Sequence, residues 1–190
     1  LLLSQSVSAT ALGQPSAWAN RRRALARDEM RSGDPKRAYQ IASQHFLEEG
    51  SHFADLEWLS GYIALRFLKD PKRALTHFKA HDGAVESPIS QGRAGYWQGR
   101  ALQAMGDAEG AAKAYAQGAK FQSSFYGLLA AERGGLAFDE TLAGETPKQD
   151  WRSSALAQAP LFQAGMLLQA SGELSMAERF WTHLAEQLLA

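Results

Sequence analysis

The chain has no cysteine, no net charge and no long apolar run, and each absence excludes a class of protein. Without cysteine there is neither a disulfide framework nor a thiolate metal site. Twenty Lys and Arg residues balance twenty Asp and Glu residues, whereas a nucleic-acid binder usually needs a basic stripe. No apolar stretch approaches the roughly 20 residues of a membrane-spanning helix. We therefore expect no nucleic-acid partner and no membrane span.

Motifs that mark catalytic or metal sites are also missing. The sequence has no glycine-rich phosphate loop, no G-x-S-x-G turn and no H-E-x-x-H helix. His77 and His81 have the spacing of two ligands on one helix, but no third ligand is indicated, which favours an exposed helix end. Asp55 and Glu57 point to different faces of a helix and do not form an acid–base pair. We expect no catalytic residue, no metal and no cofactor.

What the sequence does contain is repetition. The nine-residue phrase at 99–107 returns at 165–173, an offset of 66 residues, which is about two repeats of a helical-hairpin array. No segment alternates with a period of two for long enough to form a sheet. The fold class predicted is therefore all-α, a solenoid of stacked helical hairpins similar to tetratricopeptide repeats.

Helix-start signals support this prediction. Asp34-Pro35 and Asp70-Pro71 each place an N-cap residue before a proline at the first helical position. Asp107, Ser87 and Ser124 are further N-cap candidates. The predicted helices cover 17–31, 35–48, 53–68, 71–81, 88–105, 108–119, 124–133, 154–170 and 174–189. Gly134 and Gly135 end a helix, and an irregular break follows over about 134–152, with Thr146 and Pro147 among its loop residues.

A small residue precedes a large aromatic residue by four positions in several predicted helices. The pairs are Ala74 with Phe78, Ala111 with Tyr115, and Ala177 with Trp181, whereas Ala38 is followed by Ala42. Residues four apart share one face of a helix, so these pairs indicate the packing stripe of each hairpin. The run Arg21-Arg22-Arg23 is interpreted as a solvated helix face.

Binding residues are predicted on two helices. Arg93, Trp97 and Arg100 lie three and four residues apart on one face, and Tyr126 lies at the start of the helix that follows 124. A guanidinium over an indole is a common packing device. The same pair of groups can hold a sugar ring together with an anionic group. Packing is the preferred interpretation, and ligand contact stays open for these four residues.

Three segments resemble a known family. They are Asp55–Pro71, Pro88–Ala101 with its Tyr96-Trp97-Gln98-Gly99-Arg100-Ala101 phrase, and Ser124–Glu132 with its Phe-Tyr-Gly phrase. Together they resemble the superhelical, non-catalytic region of soluble lytic murein transglycosylases, best over about residues 50–135. The resemblance implies a protein of the Gram-negative periplasm that acts on peptidoglycan.

In that family a lysozyme-like domain near the C-terminus cleaves the bond between N-acetylmuramic acid and N-acetylglucosamine to a 1,6-anhydro product, using one Glu in a Glu-Ser pair. The only Glu-Ser here is Glu86-Ser87, which is followed by Pro88 and a new helix, and no Gly-Leu-Met-Gln phrase follows. We therefore expect residues 1–190 to be an α-superhelical fragment without the catalytic domain, and inactive alone. A chain that starts without Met and ends on an apolar phrase is also what we expect of a fragment.

The resemblance implies a scaffold that holds the glycan strand for a separate catalytic domain. A tetratricopeptide-like adaptor for peptides or protein partners is the alternative, since the same small and aromatic anchors serve that fold. Arg and aromatic residues on the concave face favour the glycan, whereas Lys, Asn and small residues favour a peptide carboxylate. Self-association through uncapped repeat ends is also expected.

Overall fold

The computed structural model describes residues 2–144 and 150–189, and within these ranges it is helical and contains no strand. The prediction of an all-α fold is confirmed. The helices are α1 Leu2–Gln5, α2 Ala9–Leu12, α3 Pro15–Ser32, α4 Pro35–Ser43, α5 Gly50–Arg66, α6 Pro71–Asp82, α7 Pro88–Ala104, α8 Ala108–Gly118, α9 Phe125–Gly134, α10 Pro160–Ala170 and α11 Leu174–Leu189. They belong to two compact units, residues 1–142 and 143–190.

Within each unit, consecutive helices pack as hairpins: α3 with α4, α5 with α6, and α7 with α8 in the first unit, and α10 with α11 in the second. The predicted N-caps are confirmed at Asp34, Asp70, Ser87, Asp107 and Ser124, whose side chains all accept a backbone N–H from the first turn of the helix. These contacts satisfy donors that have no partner inside the helix and so determine where each helix begins.

The repeated phrase forms the same turn at both places. The N–H of Asp107 donates to the carbonyl of Leu102 at 3.0 Å, and that of Glu173 donates to Leu168 at 2.9 Å. The glycines within the turns, Gly106 and Gly172, have φ angles of 80° and 88°, a left-handed conformation that favours glycine. The repetition in the sequence thus encodes the hairpin turn.

The predicted packing stripe lies at the contact between the two helices of each hairpin. Ala38, Ala74, Ala111 and Ala177 are all buried. The aromatic residue four positions later lies against a glycine of the partner helix: Phe78 against Gly61, Tyr115 against Gly99, and Trp181 against Gly165. A Cβ atom on Gly61 would lie 2.6 Å from the Phe78 ring, so the helices approach this closely only because the glycine has no side chain.

Three local predictions were wrong. Helix α4 ends at Ser43 instead of 48, and the chain then turns through Phe46, whose φ is 54°. The helix predicted from 154 begins at Pro160, because proline lacks an N–H and holds Ala159 in an extended conformation; a short 3₁₀ turn, Ala155–Gln158, precedes it. Helices α1 and α2 were not predicted.

The basic run on α3 is not a uniformly solvated face. Arg22 is fully buried, on the same stripe as Ala19 and Ala26, because three consecutive residues span most of a helix circumference. Its guanidinium donates to the carbonyl of Ile41 and to the hydroxyl of Ser6, both at 2.6 Å. Arg22 therefore ties the N-terminal segment and the end of α4 to α3.

The predicted break after α9 is confirmed in the residues that the structure describes. Gly135 ends α9 with a φ of 64°, and only short 3₁₀ turns follow, at Glu140–Ala143 and Trp151–Ser153. Thr146 and Pro147, which were predicted as loop residues, lie outside the described residues. Across 2–144 and 150–189, no helix has both the length and the apolar character needed to cross a bilayer.

Candidate functional site

The four predicted binding residues lie near one another on α7 and α9. Trp97 belongs to the core, since it is 5% exposed. Its ring centroid lies between 5.1 and 6.3 Å from the centroids of other aromatic rings, those of Trp58, Tyr62, Phe78, Tyr96 and Tyr126. Trp97 therefore supports the neighbouring residues by packing, and Arg93, Arg100 and Tyr126 are the members of the set with exposed surface.

The predicted guanidinium–indole contact exists, but between helices. The Cζ atom of Arg93 lies 5.0 Å from the ring centroid of Trp58 on α5, so Trp58 replaces Trp97 as its partner. Arg100 instead donates from Nη1 to the hydroxyl of Tyr96 at 2.9 Å. The spacing on α7 correctly indicated cations and aromatic rings in contact, but a single helix could not reveal which ring Arg93 covers.

Helix α5 contributes residues that the sequence analysis did not single out as binding residues. Asp55, Trp58 and Tyr62 recur at intervals of three and four and so share one face. The rings of Trp58 and Tyr62 are stacked, with centroids 5.5 Å apart and planes inclined by 26°. This periodicity was visible in the sequence, but only the position of α5 between α3 and α7 shows its use.

Asp55 links three helices. Its carboxylate forms an ion pair with Arg23 of α3, and its other oxygen lies 3.8 Å from Nη2 of Arg93 on α7. Burial lowers the pKa of Arg93 and Asp55 opposes that shift, while a guanidinium remains charged in proteins. Two cations thus share one anion, which leaves net positive charge beside the stacked rings.

We call this surface the arginine–aromatic face and define it as Arg23, Asp55, Trp58, Tyr62, Arg93 and Tyr126. All six side chains are partly exposed, and they come from the helices α3, α5, α7 and α9. Tyr126 joins the others through the rings of Tyr96 and Trp97, at centroid distances of 5.5 and 6.2 Å. The face offers flat apolar rings and guanidinium donors together, a combination suited to a ligand with rings and anionic groups.

A second polar group, which the sequence analysis missed, lies inside the first unit. We call it the Glu57 cluster: Tyr39, His45, Glu57 and His77. The carboxylate of Glu57, 8% exposed, accepts from His45 Nε2 at 2.8 Å and from His77 Nδ1 at 2.7 Å. Burial alone would raise the pKa of Glu57, but the two imidazole hydrogen bonds outweigh it and lower the pKa to about 2. Glu57 is therefore ionised at neutral pH and is not a general acid there.

The prediction of an exposed helix end at His77 and His81 was wrong. His81 is fully buried and donates from Nδ1 to the carbonyl of Ala54 at 2.8 Å, and burial lowers its pKa. His77 belongs to the Glu57 cluster and is also mostly buried. Within the described ranges, no group of three or more His, Cys, Asp or Glu side chains is arranged to hold a metal ion.

The Glu86-Ser87 pair has the place that its sequence context indicated. The hydroxyl of Ser87 accepts the N–H of Ser90 and caps α7, and Glu86 is exposed. An exposed carboxylate lacks the apolar surroundings that keep a catalytic acid protonated.

The chain was compared with protein-family models, with curated proteins and with solved structures, and none of the three comparisons finds a match.

Proposed function

We propose that this chain is the non-catalytic, superhelical scaffold of a periplasmic lytic transglycosylase, a tetratricopeptide-like solenoid that holds a peptidoglycan glycan strand for a separate catalytic domain. The observation that carries this proposal is the arginine–aromatic face. It adds a surface of suitable chemistry to the family resemblance of the segments within residues 50–135, which the comparisons do not test.

The chemistry of the face matches a murein strand in two respects. Sugar rings have flat apolar sides that pack on aromatic rings, and Trp58, Tyr62 and Tyr126 supply such rings with partly exposed surface. Murein also carries carboxylates, and guanidinium groups bind carboxylates in a defined geometry. Arg93 supplies both kinds of contact at once, because it lies over Trp58 beside the shared carboxylate of Asp55.

The composition of the face also distinguishes the glycan from the peptide alternative. A clamp for a peptide carboxylate would be built from Lys, Asn and small residues, and the arginine–aromatic face contains none of these. Its residues are Arg, Trp, Tyr and one Asp. This favours the scaffold proposal over the adaptor.

The experiment is sedimentation of the chain with insoluble peptidoglycan at low and at high salt. We expect the chain in the pellet at low salt, with less in the pellet as salt rises. Arg93→Gln should weaken binding about tenfold, since a hydrogen bond to a charged group contributes about 1.5–3 kcal/mol.

Arg152→Gln is the matched control, because Arg152 also lies over an indole, that of Trp151, with its Cζ 4.4 Å from the ring, but in the second unit. This variant should bind like the wild type. Recovery of the wild type in the supernatant at low salt would contradict the scaffold proposal. Displacement by acidic peptides and not by soluble muropeptides would favour the adaptor.

A further inference from the structure

The Glu57 cluster joins three helices with hydrogen bonds whose donors and acceptors can be assigned. Tyr39 lies on α4, Glu57 on α5 and His77 on α6, and His45 follows α4. The cluster contains no Lys or Arg, so with neutral imidazoles its net charge is that of the Glu57 carboxylate. A buried charge of this kind is stabilised only by its hydrogen bonds.

The protonation of His45 is determined by the backbone. Its Nδ1 accepts the N–H of Leu47 at 3.0 Å, so Nδ1 carries no hydrogen and the imidazole proton lies on Nε2, where it is donated to Glu57. A second proton on Nδ1 would face the Leu47 N–H and break that bond. His45 is therefore held in the neutral form.

His77 is placed differently. Its Nδ1 faces Glu57 and its Nε2 lies 2.7 Å from the hydroxyl of Tyr39. A hydroxyl both donates and accepts, so Tyr39 donates to an unprotonated Nε2 and accepts from a protonated one. Ser43, one turn further along α4, interacts with the same hydroxyl and offers an acceptor for its hydrogen after the reversal. His77 can gain a proton without losing a hydrogen bond.

The surrounding charges favour this uptake at one place. From α5, Glu57 faces His77, and a protonated imidazole would pair with its carboxylate. On α6 itself, Arg73 lies over the Tyr39 ring at 5.4 Å and forms an ion pair with Asp70, and the buried His81 is used by the carbonyl of Ala54. From α4, Tyr39 is the titratable group that faces His77.

We propose that the Glu57 cluster is a one-proton switch at the junction of the first two hairpins. His77 takes up a proton at Nε2 while the Tyr39 hydroxyl reverses from donor to acceptor, and His45 stays neutral. The uptake converts a buried net negative cluster into a neutral one that contains a charge pair. It thereby fastens α4 and α6 more tightly to α5 under mildly acidic conditions.

Imidazole nitrogen NMR of the full chain between pH 8 and pH 5 tests the assignment. At pH 8 we expect the proton of His45 on Nε2 and that of His77 on Nδ1. On acidification, His77 should gain a second proton and His45 should not. Titration of His45 ahead of His77, or a His77 proton on Nε2 at pH 8, would overturn the proposal.

Tyr39→Phe removes the hydroxyl that accepts from the protonated Nε2, so the midpoint of the His77 transition should move to lower pH. Tyr115→Phe is the matched control: it removes a tyrosine hydroxyl bonded to Gln103 on a different hairpin, and it should leave the midpoint unchanged. Equal midpoints in the wild type and both variants would show that Tyr39 takes no part.

Hydrogen exchange tests the tightening. Corrected for intrinsic rates, the amides of α4 and α6 should be more protected at pH 5.5 than at pH 8 in the wild type. His77→Asn keeps a donor near the Nδ1 position but cannot take up a proton, and it should lose this gain. The same gain in both proteins would refute the switch, and if His77→Asn fails to fold, the comparison with Tyr39→Phe decides instead.

Discussion

Glycine residues determine how closely the helices of each hairpin approach. Gly61, Gly99 and Gly165 each lie against an aromatic ring of the partner helix. In the first hairpin the corresponding positions are Ala26 and Ala42, both fully buried, so the glycine is larger and the aromatic residue smaller. The total volume at the contact matters more than the identity of either residue.

Gly99→Ala tests this packing. A Cβ at position 99 would lie 2.5 Å from the Tyr115 ring, so the ring or the helix must shift. We expect a loss of about 1–3 kcal/mol in the free energy of unfolding, measured by urea denaturation. Gly83→Ala is the control, because its Cβ would lie 3.7 Å or more from any neighbour; it should change stability by less than about 0.5 kcal/mol. Equal losses in both variants would contradict the packing argument.

The lowered pKa of Glu57 makes its contribution to stability depend on pH. A carboxyl whose pKa is about 2 when folded, against an ordinary 4.5, stabilises the fold above about pH 4.5. As the pH falls from there towards 2, this contribution is lost. A shift of this size corresponds to about 3 kcal/mol.

Glu57→Gln should therefore destabilise the protein at pH 7, because an amide cannot accept from both imidazoles and carries no charge. We expect a loss of about 2–3 kcal/mol that shrinks between pH 4.5 and pH 2.5, measured by urea denaturation across that range. Glu132→Gln, at an exposed carboxylate on α9, provides the control and should leave the pH profile unchanged. A loss independent of pH would show that the charge of Glu57 does not stabilise the fold.

Among the hairpins, the turns differ in one informative position. The turns after α7 and α10 contain Gly106 and Gly172 in the left-handed region, whereas the turn after α5 contains Lys69 with a φ of 55°. A side chain in this region costs roughly 1–2 kcal/mol relative to glycine, part of which the flexibility of unfolded glycine offsets. The α5–α6 turn is thus strained where the two others are relaxed.

Exchanging these residues should have opposite effects. Lys69→Gly should stabilise the protein by about 0.5 kcal/mol, and Gly106→Ala should destabilise it by about 1 kcal/mol, both measured as shifts in the urea midpoint. Gly106 has no atom within 4 Å of its Cβ position, so conformation alone and not a clash causes the expected loss. Shifts of the same sign in the two variants would contradict the assignment of strain.

These elements also show what a sequence can predict. The starts of α4, α6 and α7 were predicted because a cap and its proline act within a few residues. The early end of α4 was missed because it depends on Phe46 and on His45, whose partner Glu57 belongs to the next helix. The partner of Arg93 was missed for the same reason: Trp58 lies on another helix, and periodicity along α7 carries no information about it.

At the scale of the whole molecule, the two units differ in how much they bury. The first unit contains two clusters of buried apolar residues, which include Ile63, Phe78 and Trp97. In the second unit, among the residues that the structure describes, only Gly165 and Ala177 are buried, and Leu167 and Leu174 are 72% and 64% exposed. Because apolar burial is the main source of stability, the second unit by itself has the smaller reserve.

We therefore expect the second unit to open before the first. In hydrogen-exchange mass spectrometry, peptides from α10 and α11 should exchange much faster than those from α5 to α8, because protection reflects the free energy of local opening. Gly165→Ala, which would place a Cβ against Trp181, should speed exchange in α10 and α11 and leave α5 to α8 unchanged. Gly99→Ala is the reciprocal control and should act on α7 and α8. Uniform acceleration of the whole chain by either variant would show that the two units unfold as one, because a single cooperative transition transmits every local loss to all protected amides.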